Sequence, residues 1–192
     1  MRLIAWSLFL VAILLGISVA DFTKQDPTEQ RWCDILGLVS YDLQLVTGCP
    51  HILDVSIQQS AQIEYRITYT EGVPKRCSVQ MTVGFSGAQI NITGFICAHA
   101  SGSIHGVGVT GGYNQADPTA QQYSDVLFDF VDLGLLSRHN MFGVLITNVE
   151  KQVVSGYNYK YTLQTGDQVC SLTLFVQDWT QRYEVHNNPC RL

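Results

Sequence analysis

The chain has 192 residues, of which 46% are apolar and 14% charged, and its formal net charge is −5. That composition excludes a disordered acidic tail or a linker protein. Its 11 Lys and Arg residues form no cluster, which argues against nucleic acid or an anionic membrane surface as a partner.

Residues 1–20 read as a secretory signal peptide. Arg2 supplies an early positive charge, an apolar run continues through Ile17, and Ser18-Val19-Ala20 sets small residues before a cleavage ahead of Asp21. A membrane anchor is the alternative, but a run of about 17 residues is at the lower limit for spanning, and a polar segment follows directly. The mature chain is therefore expected to be secreted, extracellular and soluble. Six cysteines suit that compartment: Cys33, Cys49, Cys77, Cys97, Cys170 and Cys190. Cys77 to Cys97 and Cys170 to Cys190 share one spacing, and no pair has the Cys-x-x-Cys spacing of a zinc or redox site. No metal or cofactor is expected. Asn91-Ile92-Thr93 is a glycosylation sequon.

The equal cysteine spacing prompts a search for a repeat. Asp26-Pro27-Thr28-Glu29-Gln30-Arg31-Trp32-Cys33-Asp34-Ile35-Leu36 matches Asp117-Pro118-Thr119-Ala120-Gln121-Gln122-Tyr123-Ser124-Asp125-Val126-Leu127 at six of eleven positions. Further on, Ile63-Tyr65-Ile67-Tyr69 alternates as Tyr157-Tyr159-Tyr161-Leu163 does. The reading is two tandem units, residues 21–97 and 111–192, joined by a Gly/Ser-rich linker over residues 98–110. Each unit reads as one helix followed by antiparallel strands, an α+β architecture.

In the second unit Asp117 reads as an N-cap and Pro118 as a first-turn residue. Val126, Leu127, Phe130, Val131, Leu133 and Leu135 supply the apolar stripe, with Gly134 at the helix end. Tyr157 to Leu163 alternates at period two, as a half-buried strand does, Leu172 to Val176 continues the pattern, and Tyr183 and Val185 mark the last strand. One disulfide is expected across the final hairpin of each unit. Cys33 and Cys49, present only in the first unit, are expected to pair and tie its helix to the next strand.

Gln152-Val153-Val154-Ser155-Gly156 resembles the Gln-x-Val-x-Gly motif of cystatins, inhibitors of papain-like cysteine proteases. Gly111-Gly112 ahead of the helix resembles the N-terminal glycine region of that family. Trp179 stands where cystatins carry the Trp of their second hairpin loop, and Cys170 with Cys190 resembles their last disulfide. The order glycines, helix, motif, cysteine, Trp, cysteine covers residues 109–192. One departure is Asp178, where the family usually has Pro. The extra disulfide-containing excursion of many vertebrate members is also missing, as in shorter invertebrate ones. In the first unit Gln58-Gln59-Ser60-Ala61-Gln62 replaces the motif, Gly84-Phe85-Ser86-Gly87 replaces the Trp loop, and no glycine pair precedes Asp26. That copy reads as degenerate.

The resemblance implies a reversible, competitive inhibitor and no enzyme. Gln152, Val153, Val154, Ser155, Gly156, Asp178 and Trp179 would enter the primed side of a cathepsin-type cleft. Val109, Thr110, Gly111 and Gly112 would cover the non-primed side. Physical chemistry agrees with such a site. Val153 and Val154 fall on a hairpin tip, where a monomer normally avoids exposed β-branched residues, and Trp179 offers a large rigid apolar area. Other readings stay open at this point: Gly111-Gly112 as the linker end, the two valines as ordinary strand residues, and Trp179 as partly buried core. At the level of function the alternative is a non-inhibitory secreted cystatin-like carrier or host-defence protein. A cysteine hydrolase would need a free cysteine beside a histidine, yet all six cysteines can pair. A monomer is expected, with a hairpin at 152–156 able to straighten into a domain-swapped dimer.

Overall fold

The structure, a computed structural model, describes residues 22–39, 49–59, 62–70, 75–83, 90–99 and 111–192. The signal peptide, most of the linker, Val109, Thr110, Ser60-Ala61 and the Gly84–Gly87 loop lie outside the described residues.

The elements in chain order are β1 (Thr23–Gln25), α1 (Gln30–Leu38), β2 (His51–Gln59), β3 (Ile63–Thr70), β4 (Lys75–Val83), β5 (Ile90–His99), β6 (Asn114–Ala116), α2 (Gln121–Asp132), β7 (Phe142–Val154), β8 (Gly156–Thr165), β9 (Gln168–Gln177) and β10 (Arg182–Asn187). Short 3-10 turns at Arg138–Met141 and Asp178–Thr180 precede β7 and β10. Antiparallel pairing runs from β1 through β5 and again from β6 through β10.

Helix α2 starts later than the sequence suggests. Asp117 is not a cap: its Oδ1 accepts from the Thr119 backbone N–H at 2.9 Å and from the Thr119 hydroxyl at 2.7 Å, and the N-cap position falls on Ala120. Asp26 makes the same pair of bonds with Thr28 ahead of α1. An Asx turn competes with capping for the carboxylate, and here it wins in both halves.

The sheet also departs from expectation. Two separate antiparallel sheets were expected, and the strands instead form one ten-stranded sheet. Its halves join where β5 and β7 pair in parallel, Phe95 opposite Phe142 and Ala98 opposite Ile146. An open edge on β5 would leave a row of unpaired backbone groups, and the first half of β7 satisfies them. Ala98 and His99, assigned above to the linker, are instead the end of β5, opposite Arg76 and Lys75 of β4.

The two helices lie on opposite faces of this sheet. Alternation puts Tyr65, Ile67 and Tyr69 of β3 and Cys77, Val79 and Met81 of β4 on one face. There they form a core with Trp32 and Leu36 of α1. On the other face, Ile96 and Ala98 of β5 join Val144 and Ile146 of β7, Tyr159, Tyr161 and Leu163 of β8, and α2. Of the expected stripe of α2, Leu127, Phe130 and Val131 are buried, Val126 is partly buried against them, and Leu133 and Leu135 are exposed; Tyr123, outside that stripe, joins the core.

A second buried face of α2 packs on the first half of the sheet. Phe128 is 1% exposed and its ring lies against Gly94, where an added Cβ would come within 2.7 Å of Phe128 Cε1. Ser124 Oγ and Ser78 Oγ are 3.2 Å apart. Arg66 of β3 reaches across to Asp129 at 3.2 Å and Asp132 at 2.5 Å, with its guanidinium 4.1 Å from the Phe22 ring. Arg76 donates to the Thr119 carbonyl at 2.7 Å. Disulfides Cys33–Cys49, Cys77–Cys97 and Cys170–Cys190 fasten α1 to the segment just ahead of β2, β4 to β5, and β9 to the C-terminal segment.

Phe128→Ala is expected to cost about 3–5 kcal/mol. Gly94→Val is expected to cost about 1–3 kcal/mol through overpacking. Chemical denaturation of the double mutant should show strong non-additivity, because the truncated ring makes room for the new side chain.

Candidate functional site

The site is built where two hairpins and the segment ahead of β6 meet. β7 and β8 form a tight hairpin in which Val153 faces Tyr157 and Val154 faces Gly156 across Ser155. Gly156 has φ +147°, and a side chain there would collide with the Val176 carbonyl at 2.7 Å and the Phe175 ring at 2.9 Å. The tip therefore depends on glycine for conformation and for space. It leaves Val153 61% and Val154 43% exposed, so neither is an ordinary half-buried strand residue.

The second tip joins β9 to β10. Asp178, Trp179 and Thr180 form the 3-10 turn, and Gln181 closes it in the left-handed region with φ 51°. Thr180 Oγ1 donates to Gln177 Oε1 at 2.7 Å. The Tyr183 hydroxyl donates to Asp178 Oδ1 at 3.2 Å. Trp179 is 66% exposed, which removes the reading of it as core. These hydrogen bonds hold the turn.

Three polar contacts tie these pieces together. Gln152 Nε2 donates to the Gly111 carbonyl at 2.7 Å, while Asn158 Nδ2 donates to Gln152 Oε1 at 2.8 Å. Gln177 Nε2 donates to the Ser155 carbonyl. Gly111 itself turns at φ +77°, and β6 then pairs with Val149–Lys151 of β7. Of the residues singled out in the sequence, Gly111, Gly112, Gln152–Gly156, Asp178 and Trp179 thus gather on one edge. Reading the sequence missed Gln177, Asn158, Phe175 and Tyr183. The crowding against Phe175 explains Gly156, but the polar residues carry no local signal of their role.

Beneath the edge, between α2 and the hairpins, lies a cavity of about 360 Å³ lined by Asp125, Asp129, Lys151, Tyr157, Tyr159, Asp178 and Tyr183, among others. The Lys151 ammonium sits 4.0 Å over the Tyr157 ring. Burial pushes the Tyr159 hydroxyl up to about 12. Burial also raises the Asp125 carboxyl, outweighing the opposing Gln121 hydrogen bond and Arg66 charge. Among the described residues no group of three or more His, Cys, Asp or Glu side chains could hold a metal ion. All six cysteines are in disulfides, so the chain offers no thiol nucleophile. What the edge presents is apolar area on a braced backbone, which suits binding.

No family model matches the chain. Over 73 residues it is 30% identical to cystatin-2 of Ornithodoros moubata, which covers 37% of this chain and 56% of that protein. The chain thus spans little more than half the length of the curated relative it matches. A solved structure of mouse fetuin-B in complex with crayfish astacin aligns over 88% of this chain and 67% of that one, at 11% identity and a TM-score of 0.33. Fold and site describe a mixed α+β protein with a two-hairpin apolar edge, and the curated match makes the chain similar to a cystatin.

Asp125 gives a pH prediction. A carboxyl whose folded pKa is raised contributes stability below its unfolded value, about 3.9, that is lost as pH rises through the folded one. Asp125→Asn should therefore raise the thermal midpoint at pH 7 and leave it nearly unchanged at pH 3, as followed by calorimetry.

Proposed function

We propose that this chain is a secreted, reversible, competitive inhibitor of papain-like cysteine proteases, with the inhibitory edge in residues 111–192. The similarity to a cystatin supports the family, and the three disulfides are compatible with an extracellular protein. No helix among the described residues is long and apolar enough to cross a membrane. The observation that carries the reading is the convergence of Gly111, Val153, Val154 and Trp179 on one edge through the side chains of Gln152 and Gln177.

In this reading the two tips form a wedge that enters a groove shaped for extended peptide. The valines and Trp179 fill it with apolar area, and burying each contributes about 1.5–3 kcal/mol. The backbone from Val109 and Thr110 through Gly111 and Gly112 covers the other side of the cleft and bends away before a scissile bond is presented. Because the loops are already tied together, little ordering entropy is lost on binding, and this is what lets a small wedge bind tightly.

The two halves are tandem copies in this proposal, and the first does not inhibit. Its corresponding hairpin runs from Gln58-Gln59 to Gln62 with no apolar pair at the tip. Its work is to cover the outer face of α2. Asn91 is exposed on β5 and is the proposed attachment point for a glycan.

The test is inhibition of papain by residues 21–192. Trp179→Ala should weaken inhibition by about 2 kcal/mol, roughly 30-fold. Val153→Asp should weaken it at least as much, because a carboxylate would have to be desolvated in the cleft. Both variants should keep the wild-type denaturation midpoint, since both side chains already face solvent. A wild-type chain that leaves papain fully active at micromolar concentration would overturn the proposal. Gly156→Glu is a poor probe, because the side chain has no room and the hairpin itself would change.

A further inference from the structure

The proposed wedge needs its two tips at a fixed separation, yet they belong to different hairpins. The strand pairing that links β8 to β9 stops at Tyr157 and Val176, short of both tips. Beyond that point one side chain bridges them. Gln177 Nε2 donates to the Ser155 carbonyl at the first tip, and Gln177 Oε1 accepts from Thr180 Oγ1 in the second. Thr180 also donates to the Gln177 carbonyl at 3.2 Å, so the turn folds back onto the same residue.

We propose that Gln177 is a positioning residue for inhibition, a clasp that holds the valine tip and the Trp179 tip as one rigid body. This inference rests on the proposed inhibitory function. The carboxamide is suited to the task because it donates at one end and accepts at the other. A glutamate in its place keeps the acceptor and turns the donor into a second acceptor aimed at the Ser155 carbonyl. A leucine keeps much of the volume and loses both bonds. Gln177 touches the tips and leaves the apolar contact area unchanged, so its loss should loosen the wedge without removing any of its surface.

Two variants test this in the full mature chain, with papain-like proteases active in acid. Gln177→Leu should raise the inhibition constant 10–30-fold while the denaturation midpoint stays close to wild type. Gln177→Glu should do the same at pH 7. At pH 4 its protonated carboxyl regains a donor, and inhibition should return to within about threefold of wild type measured at the same pH. The charged and titratable groups around position 177 are Arg182, opposite it on β10, Glu184 paired with both Arg182 and His186, and Asp178 beside it. Arg182 favours the ionised glutamate, so the recovery is expected toward pH 4 and not at pH 5. An inhibition constant for Gln177→Leu within twofold of wild type would overturn the clasp, as would a loss in Gln177→Glu that is independent of pH. In either case wild-type inhibition would show that the functional proposal still stands. A wild-type chain that does not inhibit would overturn both.

Discussion

Helix α2 is buried on two faces, and that constraint organises the molecule. One face packs on the strands that follow it, through Tyr123, Leu127, Phe130 and Val131. The other packs on strands that precede it by some tens of residues, through Ser124 and Phe128. A helix so placed cannot belong to the second half alone. It requires the first half of the sheet to lie over it, and the parallel pairing of β5 with β7 brings that about. The charged rim fits the same arrangement. Arg66 is largely buried and is matched by Asp129 and Asp132, so removing the two carboxylates would leave a poorly solvated guanidinium.

The proposed binding edge reverses the logic of the core. Three large apolar side chains stay in water on purpose, and nothing about their packing keeps them in place. Order has to come from the backbone beneath them. Gly156 is wedged against Val176 and Phe175, Gln181 holds a left-handed turn, and Gln152 and Gln177 carry bonds between segments. Polar side chains thus hold the geometry while apolar ones present the surface. That division explains why the site is rich in glutamine and glycine.

Local patterns revealed much of this, and the rest is non-local. Period-two alternation located β8 and β9, and the run of Gln152 to Gly156 was recognisable through its resemblance to the Gln-x-Val-x-Gly motif of cystatins. Phe128 was missed because a helix stripe is read for one core, and a second core supplied by distant strands leaves no periodic mark. The parallel junction was missed for the same reason, since an edge strand and a covered strand can have one composition. Asp117 was misread because Asp-Pro-Thr supports an Asx turn as readily as a cap. Gln177 had no signal at all: a glutamine beside a turn is unremarkable until the carbonyl it meets is known.

The two halves differ at one aligned position in a way that bears on function. Counting from Asp26 and Asp117, Gly37 of α1 corresponds to Phe128 of α2. A Cβ added at Gly37 would meet nothing within 4 Å among the described residues, whereas Phe128 is clamped on Gly94. Among the described residues helix α1 therefore packs from one side and α2 from both. The consequence reaches the edge through ordinary packing. Tyr123 of α2 meets the rings of Tyr159 and Tyr161 at 5.9 Å and 6.5 Å, and the buried Tyr161 hydroxyl donates to the Tyr123 carbonyl at 3.2 Å. Those tyrosines lie on β8, whose first residue is Gly156 of the tip. A helix fixed on two sides fixes the strand that carries the hairpin, so the half without an apolar tip helps to hold still the half that has one.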